Sequence, residues 1–337
     1  MTIEADSAAA DAEPARAAPL RQSTLRSFVE RWSLLIAFAG AFAFFSIAKP
    51  DVFLTWANLQ SILDDASVLG VLAVGVTLVL VLGEFDLSVG AVVGVAAAAS
   101  VGAMADRGWS TGIAVAIALG VGAVVGLANG LAVAYVRIPS FIATLAMGSL
   151  AGGAELAITK TSIFEGLKQS YLDVALRRYG GISLRAIITA GVALAFLVVL
   201  RTTVFGRNAT AVGDNPAAAR LTGVPVQRVK VIVFVLTGLS AGLAAVLAAS
   251  SAQSYYPSIG TGYLLPAYAA AFLGLSLGGG LRFNIVGSYL GVLLLAMVTT
   301  GLTIMNQPNW IAQLVQGAVL LTAVAGIALR RRGTLGR

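Results

Sequence analysis

The chain has 337 residues, 58% of them hydrophobic and only 11% charged, with a net charge of +7, no cysteine and no histidine; its mean hydropathy is +0.91. Water-soluble domains carry about 25% charged residues, so a soluble globule of this composition would expose large apolar patches, and the chain reads as an integral membrane protein. The missing Cys and His exclude disulfides, thiolate zinc sites, a cysteine nucleophile and the histidine base of a hydrolytic triad.

Residues 1–31 read as a polar cytoplasmic tail, Ala-rich, with Glu4, Asp6, Asp11 and Glu13 followed by Arg16, Arg21, Arg26 and Arg31. Its acidic start and its distance from the first apolar run do not fit a secretory signal. The stretch from Arg21 to Trp32 fits a short helix lying on the membrane surface. Ten apolar runs follow in the membrane domain, residues 32–330, at 33–48, 62–83, 88–105, 112–134, 140–158, 186–204, 231–252, 265–279, 285–304 and 310–329, and residues 331–337 form a second tail. Apolar character without period-2 alternation predicts helices rather than a β-barrel. A straight span needs about 20 residues, so the shorter runs predict kinked or re-entrant segments. The fold class expected is all-α, a polytopic bundle of about ten transmembrane segments, some of them broken.

With the N-terminus inside, fifteen of the 22 basic residues fall on the cytoplasmic side, a two-to-one bias that orients both termini to the cytoplasm. The positive charges lie at loops and ends rather than in one patch, which speaks for membrane orientation and against a nucleic-acid partner. Small-xxx-small pairs at Gly90/Gly94, Gly122/Gly126/Gly130, Gly148/Gly152, Gly238/Gly242 and Gly287/Gly291 predict close helix contacts. Two matches to the nucleophile-elbow pattern, Gly238 to Gly242 and Gly274 to Gly278, belong to the same packing chemistry, since no His exists to activate either Ser.

Carboxylates inside a membrane are costly, so Asp64, Asp65, Glu84, Asp86 and Glu155 are candidates for the substrate pathway, together with Ser88. For Asp64 and Asp65 hydration at a helix end is the competing explanation. For Asp86 it is helix capping, because Asp86-Leu87-Ser88 precedes an apolar run. The longest internal cytoplasmic loop, 205–230, carries a cap at Asp214-Asn215, Pro216 at the first turn, Ala217 to Leu221 as a short helix, and Gly223 with Pro225 as its stop. A rigid helix between two spans, flanked by Arg220, Arg228 and Lys230, is a docking surface or else a loop that happens to be helical. Leu87-Ser88-Val89-Gly90 is echoed by Leu275-Ser276-Leu277-Gly278 in the second half, a pairing of Gly-broken segments that an inverted repeat would produce. The pattern G-x-x-x-x-G-K-[ST] is nowhere in the chain, which predicts no ATPase site of its own.

Four motifs then bear on identity. Val74-Gly75-Val76-Thr77 with Gly83-Glu84-Phe85-Asp86-Leu87-Ser88-Val89-Gly90 is the first. Ile138-Pro139-Ser140-Phe141-Ile142-Ala143-Thr144-Leu145 is the second, the loop from Val212 to Val224 the third, and Gly260-Thr261-Gly262-Tyr263 the fourth. In this order, over residues 45–325, they resemble the permease subunits of ribose-type (monosaccharide) ATP-binding-cassette (ABC) importers. The resemblance implies a prokaryotic inner-membrane transport subunit, not an enzyme, that pairs with a second copy or a paralogue. It also implies two ATPase subunits that use the ATP, no cofactor on this chain, and an extracytoplasmic binding protein that delivers a sugar or polyol. Asp214, Asn215, Ala217, Ala218, Arg220, Leu221 and Gly223 would form the coupling helix seated on the ATPase. Departures from the family pattern bear on the solute: Asp64 and Asp65 replace amides, Glu84 replaces a common Gly, Leu264, Leu265 and Pro266 stand where an acid is common, and Gly152, Gly153 and Glu155 lie where an Arg is often seen. They predict a hydroxyl-rich or cationic solute. A branched-chain amino acid ABC permease and an ion-coupled secondary transporter using the same carboxylates are the rival readings, with an intramembrane carboxylate enzyme behind them.

Overall fold

The computed structural model describes residues 24–277 and 282–335. Its helices, in chain order, are α1 Thr24–Ala48, α2 Pro50–Phe53, α3 Trp56–Val81, α4 Val89–Arg107, α5 Thr111–Leu131, α6 Ser140–Thr159, α7 Gln169–Leu176, α8 Leu184–Thr202, α9 Val204–Asp214, α10 Pro216–Leu221, α11 Val226–Ala252, α12 Leu264–Gly274, α13 Ile285–Ile304 and α14 Asn309–Leu335. A π-helical turn, Ala132–Val136, ends α5, and a 3-10 turn, Thr261–Tyr263, opens α12. Among the described residues the only sheet is a small antiparallel hairpin, β1 Arg178–Tyr179 with β2 Ile182–Ser183.

Each of the ten apolar runs falls on a helix, and the all-α polytopic bundle stands. Among the described residues seven helices are long and apolar enough to cross a membrane, against about ten segments expected: α3, α4, α5 with its π-turn, α6, α8, α11 and α13. Helices α1 and α14 carry shorter apolar stretches, 32–48 and 310–322. Helix α12 has 11 residues, which at 1.5 Å per residue reaches about 16 Å, half of a hydrocarbon core. Residues 1–23 of the expected tail lie outside the described residues. From Thr24 the chain is one continuous helix to Ala48, so the turns around Trp32 are part of α1 rather than a separate surface helix.

The helix starts follow local polar chemistry. Thr55, Ser183, Thr203 and Asn284 each cap the helix that follows, their side-chain oxygens accepting the N–H of Asn58, Ala186, Gly206 and Gly287. Glycines set the closest crossings. On the α5–α11 contact a Cβ at Gly122 would overlap the Gly238 carbonyl, one at Gly126 the Phe234 carbonyl, and one at Gly242 the Ala118 carbonyl. Gly287 and Gly291 of α13 meet Gly274 and Ala270 of α12 in the same way. The Gly148/Gly152 pair is only half used: Gly148 lies over Ser88, whereas Gly152 has nothing within 4 Å.

Helix α3 runs through the middle of the bundle, with 89% of its most apolar stretch buried, against 22%, 22% and 17% for α5, α6 and α8. Those three turn apolar side chains such as Val124, Leu150 and Leu194 outward, as a lipid-facing surface does. Two segments enter the bundle from opposite ends. Residues 82–88 come in from the α10 end, placing Ser88 against Gly148, the ninth residue of α6. Residues 253–263 come in from the hairpin end, where Tyr255 and Phe164 exchange backbone hydrogen bonds. The two meet where Gly260 packs on Gly90 and Gly94 with no room for a Cβ. The Ser88–Gly90 segment thus packs on the segment around Gly260, while Gly278 of its sequence echo Leu275–Gly278 lies outside the described residues.

Candidate translocation pathway and coupling loop

The polar segment 205–230 contains two helices where one was expected. Helix α9 ends at Asp214, the chain turns at Asn215, and α10 follows. Asn215 Oδ1 accepts the backbone N–H groups of Ala217 (3.0 Å) and Ala218 (3.1 Å), with Pro216 at the first helical position. Asp214 does not share the capping; its carboxylate pairs with Arg282 at 3.1 Å, both side chains exposed. Gly223 takes a left-handed conformation (φ +82°) that ends the turn, and Pro225 precedes α11. Ala219 is buried against the rest of the loop, whereas Ala217, Ala218 and Arg220 face out. Leu221 is 90% exposed, a large apolar side chain held at the tip of a rigid turn.

Glu84, Asp86 and Ser88 share one short link, residues 82–88, gripped by side chains from four other elements. Lys230 of α11 forms an ion pair with Glu84. Ser140 Oγ of α6 accepts the Phe85 N–H at 3.1 Å, and Thr144 Oγ1 the Leu87 N–H at 3.0 Å. Tyr268 of α12 clasps Asp86: its hydroxyl accepts the Asp86 N–H at 2.8 Å and donates to the Asp86 carbonyl at 3.0 Å. Its ring stacks on Phe85 with centroids 6.0 Å apart. Asp86 Oδ1 accepts from the N–H (3.0 Å) and hydroxyl (2.6 Å) of Ser88, and Asn129 of α5 donates to Ser88 Oγ at 2.8 Å. Asp86 is 1% exposed and its carboxylate shapes the turn into α4, three residues before the first helical residue Val89.

The other carboxylates lie elsewhere. Val81 lies sixteen positions beyond Asp65 on α3, about 24 Å along the helix. Asp64 is 5% exposed and bound by Arg178 of the hairpin (2.5 Å) and Arg185 of α8 (3.2 Å). Its neighbour Asp65 is exposed and accepts the Thr300 hydroxyl of α13 at 3.1 Å. Glu155, 4% exposed, accepts the Tyr255 hydroxyl and the Ser258 N–H, each at 2.8 Å, and so pins the segment 253–263 to α6. The six pathway candidates thus occupy three places: the hairpin end, the re-entrant crossing and the α10 end. Of the carboxylates, Asp65 is the one exposed.

A family model described as branched-chain amino acid transport system, permease component, matches residues 58–324. The L-arabinose ABC transporter permease of Azospirillum brasilense is 36% identical over 90% of this chain and 89% of its own length. The ribose import permease of Escherichia coli (strain K12) is 37% identical over 89% of this chain and 95% of its own length. The ribose import permease of Bacillus subtilis (strain 168) is 36% identical over 83% and 87%. The chain belongs to the ABC importer permease family. No solved structure matches it.

Several residues of this permease that organise the link were not among the sequence candidates. Lys230 was legible as a flanking charge of the polar loop 205–230, but nothing local joins it to Glu84, 146 residues earlier. Asn129, Thr144 and Tyr268 lie inside apolar runs, and a lone polar residue in such a run is the one signal that marks them. Helix α9, with Gly206 and Gly213 inside it, was not expected from the sequence. Both are packing positions, Gly206 against the Leu200 carbonyl and Gly213 against the Val81 carbonyl.

Proposed function

We propose that the permease forms, with a second copy or a paralogue, the inner-membrane pathway of a prokaryotic ABC importer for a sugar or polyol-like solute. Both termini are cytoplasmic in this reading. An extracytoplasmic binding protein delivers the solute at the hairpin end. Two ATPase subunits dock at α10 and use the ATP, while this chain holds no ATPase site or cofactor of its own. The observation that carries the reading is α10 itself, an Asn-capped, proline-started turn that offers Leu221 to a partner at the end opposite the hairpin. A capped helix transmits displacement where a flexible loop would absorb it. Support for the solute class comes from the relatives, which are named for ribose and L-arabinose. Asp65, exposed beside a Thr hydroxyl, adds a carboxylate acceptor suited to a hydroxyl-rich guest.

Affinity purification of the tagged chain in mild detergent from its own host, with partners identified by mass spectrometry, tests the assembly. An ATPase in near-equal amount, lost when Ala217 to Leu221 become a Gly-Ser linker, is the expected result. Recovery of the chain alone, with uptake in liposomes driven by an ion gradient, would overturn it. A thermal-shift screen of the cognate binding protein tests the solute: stabilisation by pentoses or polyols is expected, and stabilisation by leucine or isoleucine alone would replace the sugar with an amino acid.

A further inference from the structure

Both flanks of the coupling helix rest on the same few residues. Ahead of α10, Gly213 of α9 packs on the end of α3, so close that a Cβ there would overlap the Val81 carbonyl and sit 3.3 Å from Leu82 Cα. Behind it, Lys230 on the second turn of α11 holds Glu84. Pro216 and Arg220 of α10 line, together with Glu84, Ser140 and Lys230, a cavity of about 270 Å³. The segments on either side of α10 thus both touch residues 81–84, Gly213 at Val81 and Leu82 and Lys230 at Glu84.

From there the path is continuous. The link passes from Glu84 through Phe85 and Asp86, where Tyr268 holds both the N–H and the carbonyl of Asp86, and Tyr268 is the fifth residue of the half-length helix α12. The same link carries the Asp86–Ser88 turn into α4, whose second residue, Gly90, bears on Gly260 of the other re-entrant segment. Glu84 and Lys230 are 16% and 18% exposed, so their attraction is little screened by salt and acts over a short, fixed distance.

Building on the function proposed above, we infer that Glu84 and Lys230 are coupling residues: their ion pair, with the Gly213–Val81 contact, is the strut by which motion of the ATPase-facing helix reaches the crossing of the two re-entrant segments. Neither residue touches solute or nucleotide in this scheme; each acts through position.

The test uses the complete transporter reconstituted in liposomes with its ATPase and binding protein, measuring solute uptake and ATP hydrolysis in the same preparation. Glu84→Gln and Lys230→Met complexes are expected to assemble and to keep hydrolysis stimulated by the loaded binding protein, while solute moved per ATP falls by about tenfold, the range of a one-contact coupling loss. The reversed pair, Glu84→Lys with Lys230→Glu, is expected to recover most of the ratio lost in either reversal alone. A ratio equal to the unmodified transporter's in both neutral variants overturns the inference. So does a proportional fall of uptake and hydrolysis, or of assembly, that the reversed pair does not repair; that outcome assigns the ion pair to folding. Failure of the unmodified chain to bind an ATPase would instead sink the importer reading, before any variant is made.

Discussion

Asp64 and Asp65 are adjacent in sequence, yet the structure gives them different work, and amide substitution should separate them. Asp64→Asn deletes the charge shared by Arg178 at 2.5 Å and Arg185 at 3.2 Å. Removing one partner of a buried ion pair costs about 3–5 kcal/mol, because the remaining charge is left without compensation. Arg178 is 42% exposed and rehydrates, while Arg185, 19% exposed, keeps the Ser251 hydroxyl at 2.7 Å. The expected cost falls accordingly to about 1–3 kcal/mol. Part of it comes from the hairpin, which Arg178 ties to α3 together with the 2.6 Å hydrogen bond from Gln60 Nε2 to the Gly181 carbonyl. Asp65→Asn keeps an oxygen that accepts from Thr300 on an exposed side chain, so its cost is below about 1 kcal/mol. The assay is thermal unfolding of the purified permease in one detergent, paired with uptake in liposomes. Asp64→Asn should lower the unfolding midpoint, whereas Asp65→Asn should leave it in place and weaken apparent affinity for solute. An unchanged midpoint with abolished uptake in Asp64→Asn would refute the reasoning, since it would make Asp64 a solute ligand rather than a brace.

Leu221→Asp should leave the unfolding midpoint unchanged, because the side chain is 90% exposed, and should strip the ATPase from the complex on gel filtration. Asn215→Ala removes the two capping hydrogen bonds of α10, a loss of about 1 kcal/mol that should weaken ATPase retention in a co-purification titration; Asn215→Asp should restore it. Gly238→Leu forces α5 and α11 apart at the Gly122 carbonyl and should lower the thermal midpoint, with an overpacking cost of about 1–3 kcal/mol, whereas Gly152→Leu, which meets open space, should not move it. Tyr268→Phe leaves the N–H and carbonyl of Asp86 unpaired in a buried turn and should cost about 1–3 kcal/mol, read as a lower midpoint with the ATPase still bound.

Much of this permease is written locally. Apolar runs long enough to span a membrane can only be satisfied as helices there, so hydropathy located the seven spanning helices among the described residues, although it counted about ten, and the short run at 265–279 falls on the 11-residue α12. Capping is a contact between neighbours, so Asn215, Pro216 and Gly223 bounded α10 before any tertiary contact was known. Glycine spacing announced the α5–α11 crossing, because a bare backbone is what allows such an approach. Partnership across the chain is another matter. Asp64 meets Arg178 over 114 residues and Glu84 meets Lys230 over 146, and no local pattern separates a carboxylate that is a brace from one that is free. The cost of burying a charge depends on which opposite charge or donor the fold delivers to it. Only the tertiary structure therefore paired Asp64 with two arginines, buried Asp86 and Glu155 among hydrogen-bond donors, left Asp65 exposed, and brought Glu84 to Lys230.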